Sequence, residues 1–230
     1  MLCCENNQLT ELPWLSELDF LSCAYNLLTE LPPFPKLKFL SCNNNLLTRL
    51  PRFPELDYLS CDKNLLTELP PFSNLGYLSC DKNLLTELPW LPKLTDLYCR
   101  GNQLTELPEF SSLDYLLCDH NRLTELPQFP KLRYLSCDSN LLTELPPSPK
   151  LRVLLCQNNP LDWLPYYPML TKIDLTGCPV AAMMADPTDV KEYHRMWKSQ
   201  EENRKKSARS AGGRSCAEGA ERLCARSIAT

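Results

Sequence analysis

The amino-acid sequence predicts a solenoid that completes one turn every nineteen residues, with a parallel β-sheet on its concave face, an extended convex face and a helix closing the C-terminal end. Three observations carry this. Cysteines stand at 4, 23, 42, 61, 80, 99, 118, 137 and 156, each nineteen residues from the last. Asparagines keep the same interval three positions later, at Asn7, Asn26, Asn45, Asn64, Asn83, Asn102, Asn121, Asn140 and Asn159. Prolines recur in the second half of each interval, as in Leu31-Pro32-Pro33-Phe34-Pro35, where they forbid a helix interior.

Each turn begins with a strand. In Phe20-Leu21-Ser22-Cys23-Ala24, Leu21 and Cys23 alternate with other residues, so a strand points both inward. Equivalent leucines, from Leu2 and Leu21 to Leu154, with Ile173 after them, predict ten strands. A turn follows, and the Asn26 amide has donors and acceptors with which to satisfy its backbone. Leu28 and Leu31 extend the buried set. On the convex side a polyproline II path of three residues per turn puts Leu31, Phe34 and Leu37 on one face, which closes the core. The same prolines in isolation would read as a ligand for proline-binding domains, but their apolar neighbours are committed inside.

The array ends at Leu170–Cys178, where Leu175 replaces the ladder cysteine and Cys178 the asparagine. Solenoid ends expose core and need caps. Asp186-Pro187-Thr188-Asp189 predicts a helix start with Pro187 at the first helical position, and Val190, Tyr193 and Trp197 then share a face. The expected organisation is a solenoid over 1–180, a capping helix over 181–206 with its regular part from 187, and a basic, disordered tail over 207–230. No cap precedes Met1, so the exposed first repeat suggests a late start, a missing cap, or an end-to-end dimer.

Composition narrows the function classes. No apolar run approaches the ~18 residues of a membrane span, and Met1-Leu2-Cys3-Cys4-Glu5 lacks the regions of a signal peptide. Nine equivalent cysteines imply nine equivalent sites, best read as small buried apolar residues. Strands about 4.8 Å apart bring ladder neighbours near disulfide range, but side chains stacked in parallel seldom reach the required dihedral. Zinc would need close pairs such as C-x2-C, and Cys3-Cys4 is the only near pair, so no metal is assigned. Free thiols in this number point to a reducing compartment, the cytoplasm, that of a host included.

Charge and the outward strand residues place the candidate site. Residues 191–230 hold ten Lys or Arg and five Asp or Glu, leaving fourteen basic and twenty-three acidic residues before them. The acidic column Glu30, Glu68, Glu87, Glu106, Glu125 and Glu144, interrupted by Arg49, argues against nucleic-acid binding by the repeats. Three columns line the concave face. The first contains Phe20, Phe39, Tyr58, Tyr77, Asp96, Tyr115 and Tyr134, the second is mostly serine, and the third holds Asp62, Asp81, Arg100, Asp119 and Asp138. Tyrosines beside carboxylates suit a protein partner bearing basic side chains. Such ladders also stabilise stacked strands without any ligand. Asp96, Tyr98, Arg100 and Gly101 break the columns in one turn and Leu117 and His120 in the next, so a specific site is expected there. The candidate partner-binding set is Tyr58, Tyr77, Asp81, Asp96, Tyr98, Arg100, Tyr115, Asp119, His120, Tyr134 and Asp138. No catalytic group is assigned: His120 and His194 are the only histidines, expected on the surface and on the polar side of the capping helix, and no cysteine or serine has an activating partner by spacing.

The repeat LxxLxCxxNxLTxLPxxPx, seen in Asn-Leu-Leu-Thr-Glu-Leu-Pro-Pro-Phe-Pro-Lys-Leu followed by Leu-Ser-Cys, resembles the short bacterial and giant-virus type of leucine-rich repeat over residues 1–180. The fold expected is therefore a leucine-rich-repeat solenoid. The array is similar to the repeat domains of secreted leucine-rich-repeat effectors, among them ubiquitin ligases, though it uses cysteine where those favour valine. The resemblance implies a noncatalytic scaffold that binds an unidentified protein, without cofactor or small-molecule substrate. The alternative is the substrate-recognition portion of a ligase-type effector, whose long catalytic domain with its Cys-x-Asp motif is absent here: Cys216-Ala217-Glu218 is a poor match.

Overall fold

The computed structural model describes residues 1–199 and 201–202; the expected tail and the end of the expected helix lie outside the described residues. Ten short strands follow one per turn: β1 (Leu2–Cys3), β2 (Phe20–Ser22), β3 (Phe39–Ser41), β4 (Tyr58–Ser60), β5 (Tyr77–Ser79), β6 (Asp96–Tyr98), β7 (Tyr115–Leu117), β8 (Tyr134–Ser136), β9 (Val153–Leu155) and β10 (Lys172–Asp174). They form one parallel sheet in chain order. Register stacks like on like, Leu21 on Leu40 and Leu40 on Leu59, so every turn repeats its predecessor's environment.

The interior is as the period requires. Leu40, Cys42, Leu47 and Leu56 are fully buried, with Phe53 closing the convex side. Burial of each leucine or phenylalanine side chain contributes roughly 1.5–3 kcal/mol against an exposed one. The proline-bearing segment stays extended until a tight turn, where the Leu56 amide donates to the Phe53 carbonyl at 3.2 Å. The cysteines from Cys23 to Cys156 are buried and free. Burial in this apolar interior pushes the thiols of Cys42, Cys61, Cys80, Cys99 and Cys118 well above their ordinary range.

Asparagine holds the corner after each strand. The Asn83 amide nitrogen donates to the carbonyls of Cys61, Cys80 and Asp81 at 3.0, 3.1 and 3.3 Å, while its oxygen accepts the Leu66 amide at 3.1 Å. One side chain thus joins two successive turns. The residue just before each ladder asparagine is left-handed, among them Tyr25, Asn44, Lys63, Lys82 and His120, and Gly101 with φ +65°. Gly101 therefore occupies a position whose backbone suits glycine. At the last corner the Cys178 thiol stands where asparagine did and donates to the Cys156 carbonyl at 3.0 Å.

The C-terminal end differs from the sequence expectation in three respects. A 3-10 helix spans Pro179–Met183, ahead of the regular helix that the sequence predicts. The helix, here α1 (190–199 and 201–202 among the described residues), begins at 190 rather than 187. Asp186 instead closes a turn, its Oδ1 accepting the Thr188 amide at 2.8 Å and hydroxyl at 2.7 Å, and Asp189 caps α1 by accepting the Lys191 amide at 2.8 Å. His194 does not lie on the polar side: desolvation and Lys198 lower its pKa, and its ring meets Tyr166 edge-on at 5.6 Å. The expected apolar face is present. Tyr193 is fully buried, donates its hydroxyl to the Pro165 carbonyl at 2.6 Å and accepts the Tyr167 amide at 3.1 Å, while Trp197 meets Tyr166 at 4.4 Å.

Candidate functional site

The concave face carries a stack of aromatic rings at the repeat of the strands. Phe20, Phe39, Tyr58 and Tyr77 lie in successive strands with ring centroids 4.3 Å apart at each step and planes within 9° of parallel. Parallel in-register strands about 4.8 Å apart impose that spacing. All four are half-buried, so one ring edge faces solvent along the stack. Burial, then the neighbouring Tyr58, raises the Tyr77 phenol above its ordinary range. Phe20 and Phe39 extend the ladder beyond the candidate set, and their position in the same column was its signal. Farther along, Tyr115 and Tyr134 stack at 5.8 Å, with Tyr115 38% exposed.

Serine and acid columns are joined to each other. Asp62 Oδ1 accepts the Ser79 hydroxyl at 2.6 Å and the Asp81 amide at 2.8 Å. Asp119 Oδ1 accepts the Ser136 hydroxyl at 2.5 Å and the Asp138 amide at 2.8 Å. Asn43 does the same for Ser60 and Asp62 at 3.0 and 2.7 Å. Each acceptor therefore binds the serine seventeen residues on and the backbone nineteen residues on. Desolvation raises the Asp62 carboxyl above its ordinary range, partly offset by these donors.

This pairing rule explains most of the irregular turn. Asp81 binds Arg100 instead, accepting its backbone amide at 2.7 Å and its Nε at 2.7 Å, with a second guanidinium nitrogen at 2.6 Å. The serine that Asp81 would have bound is Tyr98. Arg100 offers no acceptor, and the position seventeen residues on is Leu117 rather than serine. Tyr98, Arg100 and Leu117 are one linked exchange of hydroxyl bonds for an ion pair. Asp138 accepts the Ser139 hydroxyl and the Asn158 amide, each at 3.1 Å, and His120 stands exposed 3.8 Å from its other oxygen.

The candidate residues thus separate. Tyr58, Tyr77, Asp96, Tyr98, Tyr115 and Tyr134 line the open concave face, whereas Asp81, Arg100, Asp119 and Asp138 are engaged within the solenoid. An edge outside the candidate set is also apolar: Leu27, Leu46, Leu65 and Leu84 stack beside the asparagine corner, each more than two-fifths exposed. The doubled leucine of these four repeats was the signal. Among the described residues no group of three or more His, Cys, Asp or Glu could hold a metal ion, and no helix is long and apolar enough to cross a membrane.

The ten-stranded parallel sheet, the asparagine corners and the helix-free convex side define a leucine-rich-repeat solenoid. Solved structures place it beside particular relatives. The chain is similar to YopM from Yersinia enterocolitica WA-314, with 33% identity and a TM-score of 0.65 over 75% of this chain and 45% of that one. It is similar to YopM of Yersinia pestis, a leucine-rich effector protein, with 34% identity and a TM-score of 0.66 over 76% of this chain and 60% of that one. It is also similar to the functional domain of InlJ from Listeria monocytogenes, which includes a cysteine ladder, with 32% identity and a TM-score of 0.55 over 70% of this chain and 44% of that one. The chain therefore spans less than two thirds of each. No protein-family model matches it. No curated protein matches it.

Proposed function

We propose that the chain is a noncatalytic scaffold that binds a protein partner through the concave face of its sheet. The observation that supports this best is the aromatic stack, in which four half-buried rings stand edge-out in a row and Tyr98, Tyr115 and Tyr134 prolong the apolar strip. Tyrosine combines a large rigid body with a polar tip, and so contributes contact area at little cost in side-chain entropy. The likeness to an effector protein supports the same class of function.

The test is affinity capture from lysate under reducing conditions with wild type and a Tyr77→Ala, Tyr98→Ala, Tyr115→Ala variant whose circular dichroism and unfolding midpoint show a folded array. A partner retained by wild type and lost by the variant supports the concave site. Equal retention by both overturns it and moves recognition to the leucine edge or the convex side.

A further inference from the structure

The departures from the repeat near the centre of the concave face have different causes. Arg100 and Leu117 follow from the ion pair with Asp81, and Gly101 from the left-handed corner. Asp96 follows from neither. Register sets it between Tyr77 of β5 and Tyr115 of β7, in a column that is otherwise aromatic from Phe20 to Tyr134. A ring there would continue the stack at 4.3 Å. The carboxylate interrupts it, and Tyr77 meets Tyr98 instead, at 5.3 Å with planes tilted 37°.

Asp96 thus lies among three tyrosines, two in the neighbouring strands and Tyr98 two residues along its own strand on the same face. Burial and then the Asp96 charge raise the Tyr98 phenol, in keeping with that proximity. One carboxylate oxygen, Oδ2, accepts the Thr95 hydroxyl at 2.6 Å, and Asp96 makes no ion pair within 4.0 Å among the described residues. The Arg133 guanidinium, which also senses the Asp96 charge, is held by Asp114, with Nε 2.5 Å from Oδ1. A half-buried carboxylate flanked in register by tyrosines of the two neighbouring strands suits a planar cation, which can lie flat on a ring while its edge reaches the carboxylate.

We infer that Asp96, Tyr77, Tyr98 and Tyr115 form a subsite for one arginine side chain of the protein partner. The inference rests on the concave-face reading above, and it moves the cation-binding role from the acid column, already bonded within the solenoid, to the carboxylate that breaks the aromatic column.

The probe is Nα-acetyl-arginine amide, with the neutral isostere Nα-acetyl-citrulline amide as control, titrated into the full chain labelled with 13C in its tyrosine rings. Arginine amide is expected to shift the Tyr77, Tyr98 and Tyr115 resonances with a dissociation constant on the order of millimolar, as one cation–π contact and one partly screened ion pair would give. Citrulline amide is expected to bind at least about tenfold more weakly, and Asp96→Asn to abolish the difference while the Tyr58 resonances stay in place. Equal shifts from citrulline amide, or an unchanged arginine response in Asp96→Asn, overturn the subsite. An equal response to Nα-acetyl-lysine amide overturns the choice of arginine. The two readings fail separately. Capture that needs the tyrosines but survives Asp96→Asn, with a flat titration, removes the subsite alone; a successful titration with capture indifferent to the tyrosines removes the scaffold reading alone.

Discussion

Asn83 shows how much one side chain can carry in a repeat. Its amide engages four backbone groups from two turns, all in the interior. Asn83→Leu strands those groups in a site that water does not reach, and each unmet buried group costs about 1–3 kcal/mol. We expect a loss of at least about 3 kcal/mol in urea unfolding, and a loss below about 1 kcal/mol would show that water replaces the amide. The corner before it makes a second case. Gly101→Ala brings its Cβ only to ordinary contact with Lys82 Cγ at 3.4 Å, so the cost is the left-handed dihedral itself, about 1 kcal/mol. Gly101→Asn should cost less than half of that, because Asn6, Asn44 and Asn158 already take this conformation; equal losses would assign the cost to packing. These roles differ in legibility. The asparagine period announced a satisfied corner, whereas the residue before it varies among Tyr, Lys, His, Ser, Asn and Gly, and only the backbone shows what they share.

At the scale of an element, the serine and acid columns form a ladder, in which Asp81, Asp119 and Asp138 are the acids that the sequence suggests for a partner. The sequence held its rule: serine is missing at 98 and 117, the positions seventeen residues after Asp81 and Arg100. Each column was read down its own face, so a bond between columns stayed hidden. Asn43 is a natural control, since a neutral amide oxygen makes the same two bonds as Asp62. Asp62→Asn should therefore preserve the ladder and remove a desolvated charge. The carboxyl titrates higher when folded than when unfolded, so its contribution to stability falls as pH rises through the interval above the unfolded value of about 3.9. The variant should gain on wild type across that interval and keep its advantage at neutral pH. A wild type that gains on the variant as pH rises would reverse the assignment. The helix was legible in its apolar face, Tyr193 and Trp197, but not in its start. Proline permits a first helical turn without requiring one, and Asp186 closes a separate turn on Thr188.

Across the whole molecule the turns touch their neighbours in chain order, so opening should begin at an end and propagate inward. The two ends are unequal. β1 is an edge strand with Met1 and Leu15 exposed beside it, while beyond β10 the buried Tyr193 ties α1 to the backbone at Pro165 and Tyr167. The ladder thiols report opening position by position, because a buried thiol is pushed far above its ordinary pKa and alkylation requires the thiolate. Among the thiols from Cys3 to Cys156, iodoacetamide labelling of the native chain at pH 8, read by mass spectrometry, should modify exposed Cys3 first, then Cys4 and Cys23, and Cys80 and Cys99 last. Cys137 should react more slowly than Cys42, although both lie inside the array, since the helix holds its end. Tyr193→Phe removes one buried hydroxyl with two partners, at a cost of about 2 kcal/mol, and should speed Cys156 and Cys137 while leaving Cys23 and Cys42 unchanged. If all ladder cysteines instead react at one rate in both proteins, the solenoid opens as a single cooperative unit and the two ends do not govern its stability.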